Sequence, residues 1–322
     1  MSAITALPAT RQAAQSLRRP NPLLSVMTWE LRRFFASRLF WIQAVCYFVL
    51  TCFVVWGLSE PIQFTNQIGN ALFRGFIAGT SVQGLLITLP ILLTLLAVLL
   101  PFLNAEGVTR DLTRRTHELL MTTSLPNWAY IWGRYLVGLL ISLGLAVLML
   151  AAILGFGFVL HLTVAHYPAP PIDRVMPLWV GMVLPATALM SSVSFVLGTI
   201  FPRQVNLVKI GALVAWVIIA LVAPSGRGGD SDSTKLPSWY INWDPTSAAT
   251  AHSLTANFDL FGQLNGRQLT VAQLQQLLLT AENKPADLSG WFGPHLLLIA
   301  LSLLLVVIAM FAFQRFRNTF GA

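Results

Sequence analysis

Asn104–Arg134 reads NAEGVTRDLTRRTHELLMTTSLPNWAYIWGR; the apolar run Val82–Leu103, VQGLLITLPILLTLLAVLLPFL, precedes it, and a second run, Ala129–Leu160, begins inside its last turn. Each flank reaches the roughly 20 residues that cross a hydrocarbon core of about 30 Å at 1.5 Å per helical residue. A charged segment pinned between two such runs is a membrane loop. Charge concentrated there needs a use on one side of the bilayer, and its character suggests docking to another protein.

Working outward, the whole chain has this character. Of 322 residues, 56% are hydrophobic and 10% charged, against roughly 45–50% and 25% in an average soluble domain, a surplus no soluble core absorbs. Six spans are expected, at Leu39–Leu58, Val82–Leu103, Ala129–Leu160, Met176–Ile200, Val205–Val222 and Pro294–Phe313. The fold class is therefore an all-α polytopic membrane protein. The third run exceeds what a bilayer requires, so it tilts or carries a helical extension into water that continues the charged loop.

Lys and Arg flanking spans are retained in the cytoplasm. With both termini inside, fourteen of the twenty basic residues fall on the inner side (Arg11, Arg18, Arg19, Arg32, Arg33, Arg38 before the first span, four in the 104–134 loop, Arg203, Lys209, Arg315 and Arg317). Eight of the twelve acidic residues fall outside. This predicts a multi-pass protein of the plasma membrane with the charged loop in the cytoplasm. The net charge of +8 is scattered through short loops, which argues against a nucleic-acid partner.

Residues 1–20 are expected to be a disordered cytoplasmic N-terminus; Met1–Asn21 lacks the apolar core of a signal peptide. Residues 21–38 read as an amphipathic helix lying at the lipid interface, with Leu23, Leu24, Met27, Leu31, Phe34 and Phe35 at helical spacing, Ser25, Glu30, Arg32 and Arg33 elsewhere, and Pro22 in the first turn. Residues 223–293, the longest polar segment, are expected outside. A Gly, Ser and Asp-rich loop over Ser225–Thr234 precedes Trp239, Tyr240 and Trp243 as interfacial anchors, and Thr270 with Gln273 forms a capping box for a helix striped by Leu274, Leu277 and Leu278 up to about Glu282. Residues 294–322 are the last span and a cytoplasmic tail.

Chemistry-bearing residues are sparse. No Gly-x-x-x-x-Gly-Lys-Ser/Thr phosphate loop occurs, so ATP is not hydrolysed here by Walker geometry, and the spans hold almost none of the carboxylates that ion-coupled carriers place at membrane depth. His161 and His166 lie five residues apart beside Pro168, Pro170 and Pro171, and read as interfacial histidines rather than metal ligands. Ser191, Ser192 and Ser194 lack an activating base within the membrane and, with Gly181 and Gly198, read as helix packing. Cys46 and Cys52 read as small packing residues. Pro90, Pro101 and Pro185 bias their spans to kink.

Within the loop, Glu106, Arg110-Asp111, Thr116-His117-Glu118-Leu119-Leu120-Met121-Thr122-Thr123, Pro126 and Gly133-Arg134 at the opening of a span resemble the cytoplasmic loop of ABC-2 type transporter permeases. Ser124-Leu125 separates Thr123 from Pro126, and Arg134 stands where the family usually has Lys. The resemblance implies a coupling loop over 104–130 that seats in a groove of a separate ABC ATPase subunit, where ATP and Mg are bound, and a second permease subunit completing the transporter. The interface it implies comprises Glu106, Arg110, Asp111, Arg114, Arg115, Thr116, His117, Glu118, Leu119, Leu120, Met121, Thr122 and Thr123, with no catalytic residue, cofactor or metal on this chain. On the residues alone, an apolar Leu119-Leu120-Met121 anchor with a polar rim fits an interface; a solvated loop that only fixes topology fits too. Two other functions stay open: a membrane anchor recruiting or maturing an extracytoplasmic protein, and an ion-coupled carrier.

Overall fold

The structure, a computed structural model, describes residues 21–65, 71–113, 125–222, 237–255 and 270–319. The expected N-terminal segment 1–20, the Ser225–Thr234 loop and the coupling core, Arg114, Arg115 and Thr116–Thr123, lie outside the described residues.

Asn21 starts the first helix, its side chain accepting the Leu23 N–H at 3.1 Å, and Pro22 follows where a missing N–H is no loss. Helix α1 spans Pro22–Ala36. It stops short of the expected Arg38 because Ser37 is extended; its hydroxyl accepts the Phe40 N–H and opens α2, Arg38–Gly57. The polar face expected for α1 is corrected: Glu30 is its most buried residue, whereas Leu24 and Phe35 are exposed. A countercharge on a later span draws Glu30 inward. Cys46 is also corrected, since it is exposed on the apolar surface of α2 rather than packed.

After α2 the chain forms a hairpin that the sequence reading left unassigned. Strand β1, Glu60–Thr65, pairs antiparallel with β2, Ala71–Ile77, from Glu60 opposite Ile77 to Thr65 opposite Ala71. Gly79 closes it against α2: its bare Cα rests on the Val55 carbonyl, where any Cβ would collide, and its N–H is donated to Ser59 Oγ at 3.0 Å.

Ser81 then caps α3, Val82–Asn104, by accepting the Gly84 N–H at 3.0 Å. The short α4, Glu106–Thr113, follows after Ala105. Helix α5, Asn127–Thr163, has 37 residues, about 55 Å of helix, so Gly133-Arg134 lies two turns inside it rather than at its opening. Next come α6, Ile172–Ile200, and α7, Val205–Val217, which continues as a π-helical turn over Ile218–Val222. Helices α8 (Ser238–Trp243), α9 (Ala248–Thr255) and α10 (Val271–Glu282) precede the last, α11, Phe292–Thr319. The Thr270–Gln273 capping box is present, and Leu274 and Leu278 form the buried stripe of α10 with Glu282. Pro90, Pro101 and Pro185 sit within continuous helices.

Among the described residues six helices are long and apolar enough to cross a membrane, and the chain is a multi-pass membrane protein. Helix α3 is its axis: Leu85, Leu89, Leu92, Leu93 and Leu96 are buried among α2, α5, α6, α7 and α9. Because lipid tails are as apolar as leucine, close packing and interhelical hydrogen bonds hold such a bundle. Trp179 Nε1 donates to the Ala146 carbonyl at 3.1 Å, Asn104 Nδ2 to Ser142 Oγ at 3.1 Å, and the Tyr135 and Ser192 hydroxyls meet at 2.9 Å. Helices α2, α7 and α11 instead leave large apolar side chains exposed, Phe53, Ile210 and Leu296 among them.

The alternating direction of the spans sorts their ends. One end gathers α1, α4 and the adjoining ends of α5, α6 and α7; the other gathers the hairpin and α8–α10. The segment 223–293, expected as a cap of open purpose, packs through α9 and α10 on this chain's own membrane helices, with Ala251, Leu288 and Trp291 joining the main core.

Candidate functional site at the charged end of the bundle

Glu30 is 2% exposed and Arg134 is 4% exposed, burial that charged side chains tolerate only when paired. Arg134 Nη2 lies 3.2 Å from Glu30 Oε1, and Arg33 Nη1 lies 2.8 Å from Glu30 Oε2. The other arm of Arg134 donates from Nη1 to the Gly107 carbonyl in α4. The guanidinium also stands 4.7 Å from the centroid of the Tyr130 ring and 5.6 Å from that of Trp29, a placement that the ring quadrupole favours. One arginine thus ties α1, α4 and α5 together. The close approach of α1 comes from Gly133, where an added Cβ would strike the Val26 side chain.

A second junction holds α4 from the other side. Glu106, in its first turn, pairs with Arg110 at 3.0 Å through Oε2 and with Lys209 of α7 through Oε1. Lys209 is buried, its ammonium 5.1 Å from the centroid of the Phe102 ring. Against α6 the contact is main chain on main chain: Gly198 faces the Ala105 backbone with no room for a Cβ, and Gly107 faces the Phe195 ring. Helix α4 is gripped by α5, α6 and α7 immediately before residue 114.

Of the residues expected to form the coupling interface, Glu106 and Arg110 therefore stand at this junction, and Asp111 lies in α4. Arg114, Arg115, Thr116, His117, Glu118, Leu119, Leu120, Met121, Thr122 and Thr123 fall outside the described residues. Sequence reasoning missed Glu30 and Lys209 as members, and it quoted Arg134 in the loop motif without placing it in the interface. Lys209 was read as a topology marker in a short loop, but it lies one turn inside α7. The available signal was a cation placed inside an apolar run, which needs a partner.

Of the other candidates, Ser191 and Ser194 are buried, with no hydrogen-bond partner for either hydroxyl among the described residues. His161 Nδ1 meets the Tyr167 carbonyl at 2.7 Å, and His166 takes a left-handed conformation, φ 66°. Among the described residues no cluster of His, Cys, Asp or Glu could hold a metal ion. Ser192 donates to the Ala188 carbonyl at 2.8 Å besides meeting Tyr135, while Gly181 accepts the Trp291 ring against its bare Cα.

The sequence matches no protein-family model, and no curated protein matches it.

Proposed function

We propose that this chain is the permease subunit of an ABC-2 type exporter in the plasma membrane, with both termini cytoplasmic. The reading rests on the resemblance of Glu106–Arg134 to that family's coupling loop, and one observation supports it above others: α4 is bonded to α5 through Gly107 and Arg134 and to α7 through Glu106 and Lys209. A push on residues 114–124 enters α4, whose bonds reach α5 and α7 and, through Arg134, α1, where breaking the buried Glu30 pair costs about 3–5 kcal/mol. ATP and Mg are bound on a separate ABC ATPase subunit that receives the loop, and a second permease subunit completes the path. The chain itself supplies no catalytic group.

The test is capture of the tagged full-length chain from its native membranes, followed by reconstitution. A Walker-type ATPase copurifies, and charge reversal at Arg114 and Arg115 lowers the ATP turnover of the vesicles by about tenfold or more, as loss of an interfacial charge pair implies. Membrane insertion is unchanged. Absence of an ATPase, or normal turnover in the variant, overturns the reading.

A further inference from the structure

The opposite end of the bundle holds a carboxyl that the proposed transport role leaves unused. Glu282 is the last residue of α10, 0% exposed, and among the described residues its oxygens make no well-formed hydrogen bond, with the Ala78 main chain lying beside it. Three physical facts disfavour its ionised form there. Burial removes its hydration; the free carbonyls at the helix C-terminus present negative charge to it; and among the described residues no cation stands within ion-pair distance. The Ala78 main chain beside it favours ionisation, but burial outweighs that and pushes the carboxyl up to about 8.

The groups on the elements packed around Glu282 are few. Strand β2 carries Arg74, whose register partner is Gln63. The turn into α3 carries Thr80 and the first turn of α3 carries Gln83, both uncharged. His161 and His166 line a cavity of about 560 Å³ together with Gln275, Leu278 and Leu279, a turn or more back along α10, and His161 is engaged by Tyr167. Lys284 faces a separate cavity with Asp173 and Arg174.

We propose that Glu282 is a proton-operated latch: its neutral carboxyl, seated at the hairpin exit, holds α10 on the membrane domain, and its ionisation releases the helix. Leu274 and Leu278 supply the apolar grip, and Glu282 makes that grip conditional. A helix of 12 residues is marginal in water by itself, so release also melts it.

The sign follows from which state holds the proton. The docked carboxyl is raised above its ordinary value of 4.5, so docking is strongest below that value. It weakens about tenfold per pH unit as only the released state ionises, and levels off above about 8, where both states are ionised.

Hydrogen exchange of the α10 amides in the full-length protein in nanodiscs tests this, taken as the ratio of wild type to Glu282→Gln at each pH so that intrinsic exchange cancels. The ratio is expected to rise about tenfold per unit between about pH 5 and 8 and then flatten. Leu278→Ala is expected to lose protection by one factor at every pH in the Glu282→Gln background. A flat ratio, or a pH-dependent loss in that background, overturns the latch. Should Glu282→Gln not fold, the infrared band of a protonated carboxyl in wild type must persist while protection falls and vanish near the pH at which that fall levels off. A band already lost at about pH 5 overturns it equally.

Discussion

The two ends of this bundle bury titratable groups by opposite means. At the charged end Glu30 and Arg134 are buried against each other, with Arg33 on the carboxylate and the Gly107 carbonyl on the guanidinium. At the cap end Glu282 has no countercharge among the described residues. Asp244 there is held by backbone instead, accepting the Thr246 and Ala249 N–H groups at 2.9 and 2.7 Å, and burial still raises it above the usual carboxylate range. An ion pair fixes two elements whatever the pH between the two groups' titrations. A lone carboxyl fixes them only while it keeps its proton. The charged end is built as a rigid junction and the cap end as a conditional one.

The sharpest way to break this comparison is to remove one charge at the rigid end. Arg134→Met removes the partner that Glu30 has on α5 and the side-chain donor to the Gly107 carbonyl, a loss of up to about 3–5 kcal/mol, the range for breaking a buried pair. Adding Glu30→Gln in the same chain is expected to return much of that, because the stranded charge is gone. Thermal unfolding of the single and double variants in nanodiscs measures both. Equal losses in single and double variants would mean that packing, and not the charge pair, holds α1 to α5.

How far these features were legible in sequence differs between the ends as well. The spans were plain from length and apolarity, and α10 from its capping box, since both signals are local. The inward turn of Glu30 was not: side-chain spacing on α1 separates faces by average polarity, and only Arg134, a hundred residues on in sequence, makes the acidic position the buried one. The hairpin was passed over because the stretch from Glu60 to Ile77 is short and lies between strong helical runs, although Ile62 and Phe64 alternate with polar residues and Gly69-Asn70 is a turn-type pair in the sequence. Most of the coupling loop rests on the resemblance, for the described residues end at Thr113 and resume at Leu125.

A second comparison sets two glycines of α6 against each other. Gly198, at the charged end, meets backbone at Ala105, whereas Gly181, at the cap end, meets the edge of the Trp291 ring. An indole can tilt; a main chain fixed in the α3–α4 junction cannot. Gly198→Ala is expected to lower stability by about 1–3 kcal/mol, the range for overpacking a core, and Gly181→Ala by less, as the ring shifts. The order of the two unfolding midpoints decides it. A larger loss at Gly181 would put the stiffer packing at the cap end.

The smallest effect separates the latch from the helix it holds. Thr270 accepts the Gln273 N–H, and Gln273 Oε1 in turn accepts the Thr270 N–H at 2.9 Å. Thr270→Ala removes that box and is expected to lower α10 stability by about 1 kcal/mol. Neither partner titrates, so the loss of amide protection is the same at every pH, whereas the contribution assigned to Glu282 fades as pH rises. A Thr270→Ala loss that itself grew with pH would mean that the capping box is coupled to the state of Glu282. Cap and carboxyl would then not contribute independently to the unit that docks and melts together.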